Sequence, residues 1–294
     1  MGRGKVPALL IGEATQRLIG NVFGRVLQDT ARVTRRVVAW GDDAKPVELA
    51  HSAIVISEEE LNHQLAVDGR AVEGEAEWTI YTSRPLPEGV VERGFGSRIA
   101  SASAVRLREG RARDACWIES LDRGWLFLLP GWLLAVGASV EDLLAKSRLI
   151  AEAIDSIDPP KGSFPAYPRI CDPLCAENWL ACGSAAMAFD PICGDGVGNA
   201  IREAILASAV VKAAQRGEDV NALRGHYQAR LLAGFLKHLE LCRQFYAVPT
   251  GDWWRAELEQ LDRGIGWCRE RLEGAQFRYQ LRGFELELAT NEHA

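Results

Sequence analysis

The sequence predicts an α/β fold in which a β-rich middle lies between segments with helical patterns. Residues 78–137 form short apolar or alternating runs typical of strands, whereas three long helical patterns follow residue 198. Between these parts, the segment 179–211 joins a short apolar strand to a helix through a glycine-rich loop. A chain of 294 residues is long enough for one large domain or two intertwined ones with a sizeable core.

Short strands and helices alternate over the first 65 residues. The predicted elements are a strand over 8–11, a helix over 15–28, strands over 36–40 and 52–57, and a helix from 58 to 65. The start of that second helix is the best defined, because Ser57 with Glu60 three residues later forms a capping box.

The middle of the chain is predicted to be sheet and the remainder mainly helical. Predicted strands cover 115–119, 125–129 and 132–136, with a hairpin turn at 122–124 between the first two. The pattern after Val140 predicts one amphipathic helix over 141–157, ended by Pro159 and Pro160. The later elements are predicted as a strand over 179–182, helices over 198–215, 220–246 and 253–272, and a strand-like stretch over 277–288.

Composition and charge exclude several classes of protein. A hydrophobic fraction of 48% and a charged fraction of 25% are ordinary for a soluble globular protein, and the net charge of -6 argues against a general nucleic-acid binder. No run reaches the ~18 apolar residues of a membrane span, so a cytoplasmic protein is predicted. The seven cysteines match neither a disulfide framework nor a zinc spacing, which predicts buried thiols and no metal site.

The segment from Trp179 to Val211 carries the most specific chemical signal. A strand ends at Gly183 and Ser184, Asp190 and Pro191 follow, and Gly194, Gly196 and Gly198 lead into a helix. Spaced glycines let the backbone approach a large flat ligand, and the N–H groups at a helix start favour an anionic group. Three spaced glycines alone are more typical of a helix cap and tight packing, but the whole combination is more specific.

This segment resembles the second FAD-binding motif of FAD-dependent oxidoreductases of the hydroxylase, tryptophan halogenase and geranylgeranyl reductase type. In that family Gly-Asp-Ala-Ala ends a strand, and Asp-Pro precedes a Gly-x-Gly helix. Gly12-Glu13 is similar to the family's Gly-Glu-Ser element, and Gly124-Trp125 with the strand that follows resembles its substrate-domain strands. Among these proteins, the chain resembles most the flavoproteins associated with quinone-cofactor maturation, which modify a tryptophan of a partner protein.

The resemblance implies an FAD-dependent hydroxylase-like fold with a β-rich substrate region and a helical C-terminal part. The implied regions are 1–35, a remnant of the FAD-binding region; 36–140, the substrate region; 141–215, the FAD-binding region with the glycine-led helix; and 216–294, the helical C-terminal region. It places Pro191 beside the isoalloxazine of the flavin. The implied cofactor-binding residues are Glu13, Gly183, Ser184, Asp190, Pro191, Gly194, Gly196, Val197 and Gly198.

Three features of this sequence depart from the family pattern. No Gly-x-Gly-x-x-Gly fingerprint is present, and far fewer residues precede Gly12 than in relatives, which predicts that the first βαβ unit of the FAD domain is missing. Ser184 replaces the Asp that binds the ribityl chain, and an Asp-Ala-Thr/Ser-Gly element is only echoed at Tyr81-Thr82-Ser83. FAD binding to these 294 residues is therefore expected to be weak or absent.

The predicted function is that of an FAD-dependent oxidoreductase, monooxygenase-like, acting on an aromatic molecule or a protein-borne tryptophan with an external flavin reductant. One alternative is a family member without bound FAD that serves as a partner-binding or maturation protein. Another is a lipid reductase of the geranylgeranyl type, whereas halogenation is disfavoured because a Trp-x-Trp-x-Ile-Pro element is lacking. No catalytic residue is assigned. Lys146 is interpreted as a surface residue, and His238, Cys242, Trp253 and Trp254 as packing residues.

Overall fold

A computed structural model describes residues 6–28, 30–67, 74–193 and 195–289. Its strands are, in chain order, β1 (Leu9–Gly12), β2 (Ala31–Ala39), β3 (Val47–Ile56), β4 (Thr79–Tyr81), β5 (Val91–Gly94), β6 (Ile99–Leu107), β7 (Ala115–Leu121), β8 (Gly124–Leu129), β9 (Trp132–Gly137), β10 (Ile154–Ile157), β11 (Ser163–Pro165), β12 (Arg169–Asp172), β13 (Cys175–Ala176), β14 (Trp179–Ala181), β15 (Met187–Ala188), β16 (Tyr279–Arg282) and β17 (Glu285–Leu288).

Six α-helices lie within the described residues. They are α1 (Glu13–Phe23), α2 (Glu58–Leu65), α3 (Val140–Lys146), α4 (Gly196–Gln215), α5 (Val220–Tyr246) and α6 (Asp252–Leu272). None of them combines the length and apolar character that crossing a membrane requires.

The described residues divide into two compact units. The first unit is drawn from Met1–Gly69, Gly96–Tyr167 and Arg243–Glu259, and the second from Arg70–Phe95, Pro168–Cys242 and Gln260–Ala294. Helices α5 and α6 each contribute residues to both units. The four functional regions predicted from the sequence are a different kind of division, and they stay a prediction.

The first unit is built on a nine-stranded sheet with the order β1-β3-β2-β7-β8-β9-β6-β10, to which β11 adds by pairing with β6. All six residues of β8 are buried, as its apolar run predicts for a central strand. The predicted hairpin between β7 and β8 is confirmed. Gly124 in its turn has a φ of 144°, and a Cβ there would collide with the Val136 carbonyl, so only glycine fits.

The predicted helix over 141–157 is wrong after its second turn. Helix α3 ends at Lys146, and the chain then passes through a 3-10 turn into strand β10. The Ser147 hydroxyl accepts hydrogen bonds from the Ile150 and Ala151 N–H groups, while the buried Glu119 carboxylate accepts from Arg148, Leu149 and Ile150. These side chains take up the N–H groups that a continued helix would use.

Two further elements differ from the prediction. Helix α1 ends at Phe23 rather than near residue 28, because Gly24 adopts a left-handed φ of 64° and its N–H caps the Gly20 carbonyl. The stretch 277–288 is a hairpin of β16 and β17 rather than one strand. The capping box is confirmed, since the Ser57 side chain accepts from the Glu60 N–H.

The second unit contains two three-stranded sheets, ordered β15-β12-β5 and β13-β14-β4, and the β16–β17 hairpin. Strand β14 confirms the short strand predicted at 179–182 and pairs in parallel with β4. The glycine-led helix α4 follows β14 in the chain, and most of the predicted cofactor-binding residues lie between the two.

Candidate functional site

The candidate site lies where two parallel strands of the second unit end side by side. Trp179 to Ala181 of β14 pair with Thr79 to Tyr81 of β4, and the Cys182 N–H continues the ladder to the Tyr81 carbonyl at 2.9 Å. Ser184 then donates its hydroxyl to the Thr82 carbonyl at 3.2 Å. The carboxyl ends of parallel strands are a common place for ligands to bind in α/β folds.

Gly183 makes the turn out of β14 and brings helix α4 close. It has a left-handed φ of 58°, its N–H donates to Glu203 Oε2 at 2.7 Å, and a Cβ placed on it would lie 3.7 Å from the Ala200 Cβ. Burial raises the pKa of Glu203 to about 7, against the opposite effect of the Gly183 N–H. A buried carboxyl group of α4 therefore fixes the strand-to-turn transition.

The Asp190-Pro191 turn is anchored by hydrogen bonds on both sides of Asp190. Asp190 is 1% exposed, its Oδ1 accepts from the Ile192 N–H at 2.9 Å, and its own N–H donates to His238 Nε2 at 2.8 Å. Pro191 opens a short 3-10 turn that ends at Cys193. The segment before α4 is thus tied to α5 through a histidine ring.

The start of α4 presents backbone rather than side chains. Gly196 is exposed and a Cβ placed on it would meet no atom within 4 Å, whereas Gly198 is buried. The residues of the first helical turn, Gly196 to Asn199, carry no carboxylate, so the positive end of the helix dipole is not neutralised from within that turn. Asp195 precedes the helix without capping it, and its carboxylate pairs with Arg202 at 2.8 Å instead.

The structure brings most of the predicted site residues into one segment of the second unit. Gly183 and Ser184 follow β14, Asp190 and Pro191 form the turn, and Gly196, Val197 and Gly198 begin α4. Gly194 lies outside the described residues. Glu13 belongs to the first unit, in the first turn of α1, where its exposed carboxylate pairs with Arg17 at 3.2 Å.

Two buried side chains that support the site were not assigned to cofactor binding from the sequence. Glu203 holds the Gly183 N–H, and the Tyr227 hydroxyl donates to the Ala181 carbonyl at the end of β14 at 2.6 Å. Glu203 stands two turns into a helix of small residues, where an acidic side chain is an unusual choice. That contrast was the only signal that could have identified it.

A cluster of Cys193, His238 and Cys242 lies beside the Asp190-Pro191 turn. The two sulfurs are 3.5 Å apart, Cys242 Sγ lies 3.3 Å from His238 Nε2, and the three donor atoms all lie within 4.8 Å of one another. Such spacing suits a metal ion, but the ring lone pair of His238 that a metal would need already accepts the Asp190 N–H. The His238–Cys242 spacing of four was visible in the sequence, whereas the approach of Cys193 from a distant segment was not.

The other residues weighed from the sequence have structural partners. Lys146 pairs with Asp122, and both side chains are about half exposed. Trp254 is buried and donates its ring N–H to the Leu121 carbonyl at 2.8 Å, while Trp253 packs edge-on against it. These contacts describe a surface ion pair and a buried anchor.

Two cavities of the second unit lie outside residues 183–198. One of about 300 Å³ is lined by residues that follow β4, from Arg84 to Glu92, and by Cys171. The other, of about 850 Å³, is lined mainly by α5 and by the chain after α6. The candidate site is defined by its two strand ends and the start of α4 rather than by a cavity.

The sequence matches no protein-family model and no curated protein. Among solved structures, the chain is similar to the peptidyl tryptophan dihydroxylase QhpG, essential for tryptophylquinone cofactor biogenesis, with 19% identity and a TM-score of 0.71, covering 98% of this chain and 79% of that one. It is also similar to the myxobacterial chondrochloren halogenase CndH, with 14% identity and a TM-score of 0.68, covering 90% and 80%. A third similar structure is the flavin-dependent halogenase CmlS, with 16% identity and a TM-score of 0.66, covering 84% of this chain and 60% of that one.

These similarities confirm the predicted fold. The chain has the mixed α/β fold of FAD-dependent halogenases and monooxygenases, with one nine-stranded sheet, smaller sheets and long helices toward its C-terminus. At identities below one fifth, a likeness of this kind establishes the fold alone, and the chemistry has to be argued from the site.

Proposed function

We propose that this protein is a flavin-dependent oxidoreductase of the monooxygenase type that acts on an aromatic group, most favourably a tryptophan side chain of a partner protein. One observation carries the proposal. The protein has this fold, and its parallel strands β4 and β14 end side by side. The chain then turns at the left-handed Gly183 and continues to the glycine-led start of α4.

The residues of this segment fit one end of a flavin. The exposed Gly196 leaves open space where a side chain would otherwise project, and the first turn of α4 offers backbone N–H groups without a competing carboxylate. Gly183, Ser184, Asp190 and Pro191 would border the ring and its ribityl chain, with Gly196, Val197 and Gly198 at the pyrimidine edge. FAD bound there would supply the redox chemistry with dioxygen, after reduction by an external flavin reductant.

The protein's own residues would orient the ligand and set the charge around it. The N–H groups of α4 favour an electron-rich edge, and the dipole of this 20-residue helix strengthens that preference. Glu203 Oε2 holds the Gly183 N–H, which keeps the left-handed turn in place while Ala200 packs behind it. The Asp190 hydrogen bonds hold the proline turn at a fixed position.

The similarity to QhpG, rather than a cavity of this protein, indicates the class of substrate. QhpG is described as a peptidyl tryptophan dihydroxylase, and its structural alignment covers 98% of this chain. We therefore propose a protein-borne tryptophan as substrate before a free aromatic molecule, and a cytoplasmic location where a reduced-flavin source is available.

A second candidate function is that of a partner-binding protein without flavin. Ser184 favours it, because its hydroxyl already donates to the Thr82 carbonyl and it lacks the charge of a carboxylate. The 294 residues also contain no Gly-x-Gly-x-x-Gly to hold a pyrophosphate. In this case the same fold would bind a partner protein without modifying it.

The two candidates are separated by a turnover assay. The protein is incubated with FAD, a flavin reductase with its nicotinamide donor, dioxygen and a tryptophan-containing peptide, and the peptide mass is followed. A flavin-dependent monooxygenase adds oxygen atoms to the peptide only when every component is present. A peptide that binds but keeps its mass, with no flavin bound to the protein, would support the partner-binding function instead.

A further inference from the structure

We propose that Cys193 and Cys242 form a peroxide-reactive thiol pair, in which Cys193 is the attacking thiol and Cys242 resolves it to a disulfide. The proposal concerns the second unit alone and does not depend on flavin binding. It rests on the distance between the sulfurs, on the accessibility of one of them and on the groups around them.

The two thiols are placed for a direct reaction with each other. Their sulfurs are 3.5 Å apart, close to van der Waals contact, although the residues come from the 3-10 turn before α4 and from α5. A disulfide requires the sulfurs to approach to about 2 Å. Rotation of a cysteine side chain can move a sulfur over the distance that remains.

Accessibility selects Cys193 as the attacking thiol. Cys193 is half-buried, whereas the other six cysteines are buried and Cys242 has no exposed surface. An oxidant from solvent therefore reaches Cys193 first. Because Cys193 is only partly exposed, a small oxidant such as hydrogen peroxide suits the site better than a bulky disulfide.

The surroundings of Cys193 also favour its reactive form. A hydrogen bond from the Cys242 thiol, together with His238, lowers the pKa of Cys193 to about 6, although burial and the Asp190 charge act in the opposite direction. Burial raises the pKa of Cys268 to about 12 and that of Cys182 to about 11. Near neutral pH, Cys193 is thus the thiolate and these other cysteines are unreactive thiols.

The reaction balances with hydrogen peroxide as the oxidant. The Cys193 thiolate attacks one peroxide oxygen, the O–O bond breaks, and hydroxide leaves while Cys193 becomes a sulfenic acid. The Cys242 sulfur then attacks Cys193 Sγ, the S–O bond breaks, and the S–S bond forms. The protons of the two thiols and the two hydroxides give two waters, so two thiols and one peroxide yield one disulfide.

His238 argues for a thiol pair rather than for a metal site. Its Nε2 accepts the backbone N–H of Asp190 at 2.8 Å, so this ring nitrogen is already engaged. A metal would have to displace this hydrogen bond, which holds the Asp190-Pro191 turn. The thiol reaction leaves it intact.

The test is peroxide treatment of the 294-residue protein, with thiol counting and peptide mapping. The native protein should lose two of its seven thiols and yield one linked peptide pair containing Cys193 and Cys242. Cys242→Ser should instead accumulate a sulfenic acid at Cys193 that dimedone captures, and Cys193→Ser should keep its remaining six thiols. Cys268→Ser, which removes another buried cysteine, should behave as the native protein does.

Three results would overturn the proposal. The first is that folded protein keeps all seven thiols after peroxide treatment, and the second is a linked peptide pair that contains other cysteines. The third is one bound equivalent of zinc, if that zinc has to be removed before either thiol reacts. An alkylation rate at Cys193 that has its midpoint near pH 6 and is lost in Cys193→Ser would support it, since the neighbouring His238, Cys242 and Asp190 set that value.

Discussion

At the scale of single residues, the candidate site depends on backbone conformation more than on reactive side chains. Gly183 is left-handed and its N–H reaches Glu203, while the exposed Gly196 leaves the start of α4 without a side chain. Glycines of this kind were recognised in the sequence, because their spacing around Asp190-Pro191 is specific. The hydrogen bond between Gly183 and the buried Glu203 was not predicted.

Replacing Gly183 by alanine should destabilise the protein through its backbone conformation. The new Cβ has room, at 3.7 Å from the Ala200 Cβ, but a left-handed φ costs an L-residue about 1–2 kcal/mol. Urea denaturation should show this loss for Gly183→Ala and a clearly smaller one for Gly183→Asn, since asparagine tolerates that conformation. Equal losses for both variants would point to steric crowding instead.

Glu203 should make stability depend on pH in a definite direction. Burial raises its pKa from 4.5 to about 7, so between these values the folded state binds more protons than the unfolded state. The stabilisation is complete below about pH 4.5 and is lost as the pH rises through about 7. Relative to Glu203→Gln, the native protein should lose on the order of 3 kcal/mol of unfolding free energy over that range.

Glu203→Gln is the matched variant, because a neutral amide oxygen can still accept the Gly183 N–H. The comparison is made by denaturation at several pH values between 4 and about 8, a range that brackets the raised pKa. A difference between the two proteins that stays constant with pH would show that Glu203 ionises normally in the folded state.

At the scale of elements, local sequence patterns identified the strands and long helices better than their ends. The alternating and apolar runs of β7, β8 and β9 and the long α5 pattern are properties of the segment itself, and they were predicted within a few residues. The end of α3 depends instead on Glu119, which lies in β7 and captures three N–H groups of a segment about thirty residues later. No periodicity within 141–157 records that contact.

A buried ion pair within the first unit fixes the start of α6. Glu257 accepts hydrogen bonds from the Ser97 N–H and hydroxyl and from the Arg98 guanidinium, which lies 4.5 Å from the Tyr246 ring centroid. Both charged side chains are at most 2% exposed. Gly96 lies against this pair, and a Cβ there would come within 2.7 Å of Glu257 Oε2.

Removing one partner of this pair should be strongly destabilising. Glu257→Ala leaves the Arg98 charge buried, and breaking such a pair costs about 3–5 kcal/mol. The exposed pair of Arg255 with Asp252 on the same helix is the control, and Asp252→Ala should change stability by no more than about 1 kcal/mol. Thermal or urea unfolding measures both, and similar effects would contradict a special role for the buried pair.

At the scale of the whole molecule, the fold was predictable because three distant motifs all matched one family pattern. The Gly12-Glu13 element, the strands around Gly124 and the segment after Trp179 each resemble elements of FAD-dependent hydroxylase-like proteins, and solved structures confirm that fold. The thiol cluster could not be predicted, since Cys193 and Cys242 are 49 residues apart and meet only in the folded chain.

The most direct test of the flavin site is an equilibrium titration of the 294-residue protein with FAD and with riboflavin, followed by flavin fluorescence. Because the proposed site would contact the ring and ribityl end of a flavin, we predict dissociation constants for the two ligands that agree within about threefold. Gly196→Val, whose side chain would fill open space at the start of α4, should weaken both by about tenfold or more, while Gly234→Val in the open face of α5 should not. Flavin binding that Gly196→Val leaves unchanged would contradict the assignment of this site, whereas absence of flavin binding would support the flavin-free, partner-binding function.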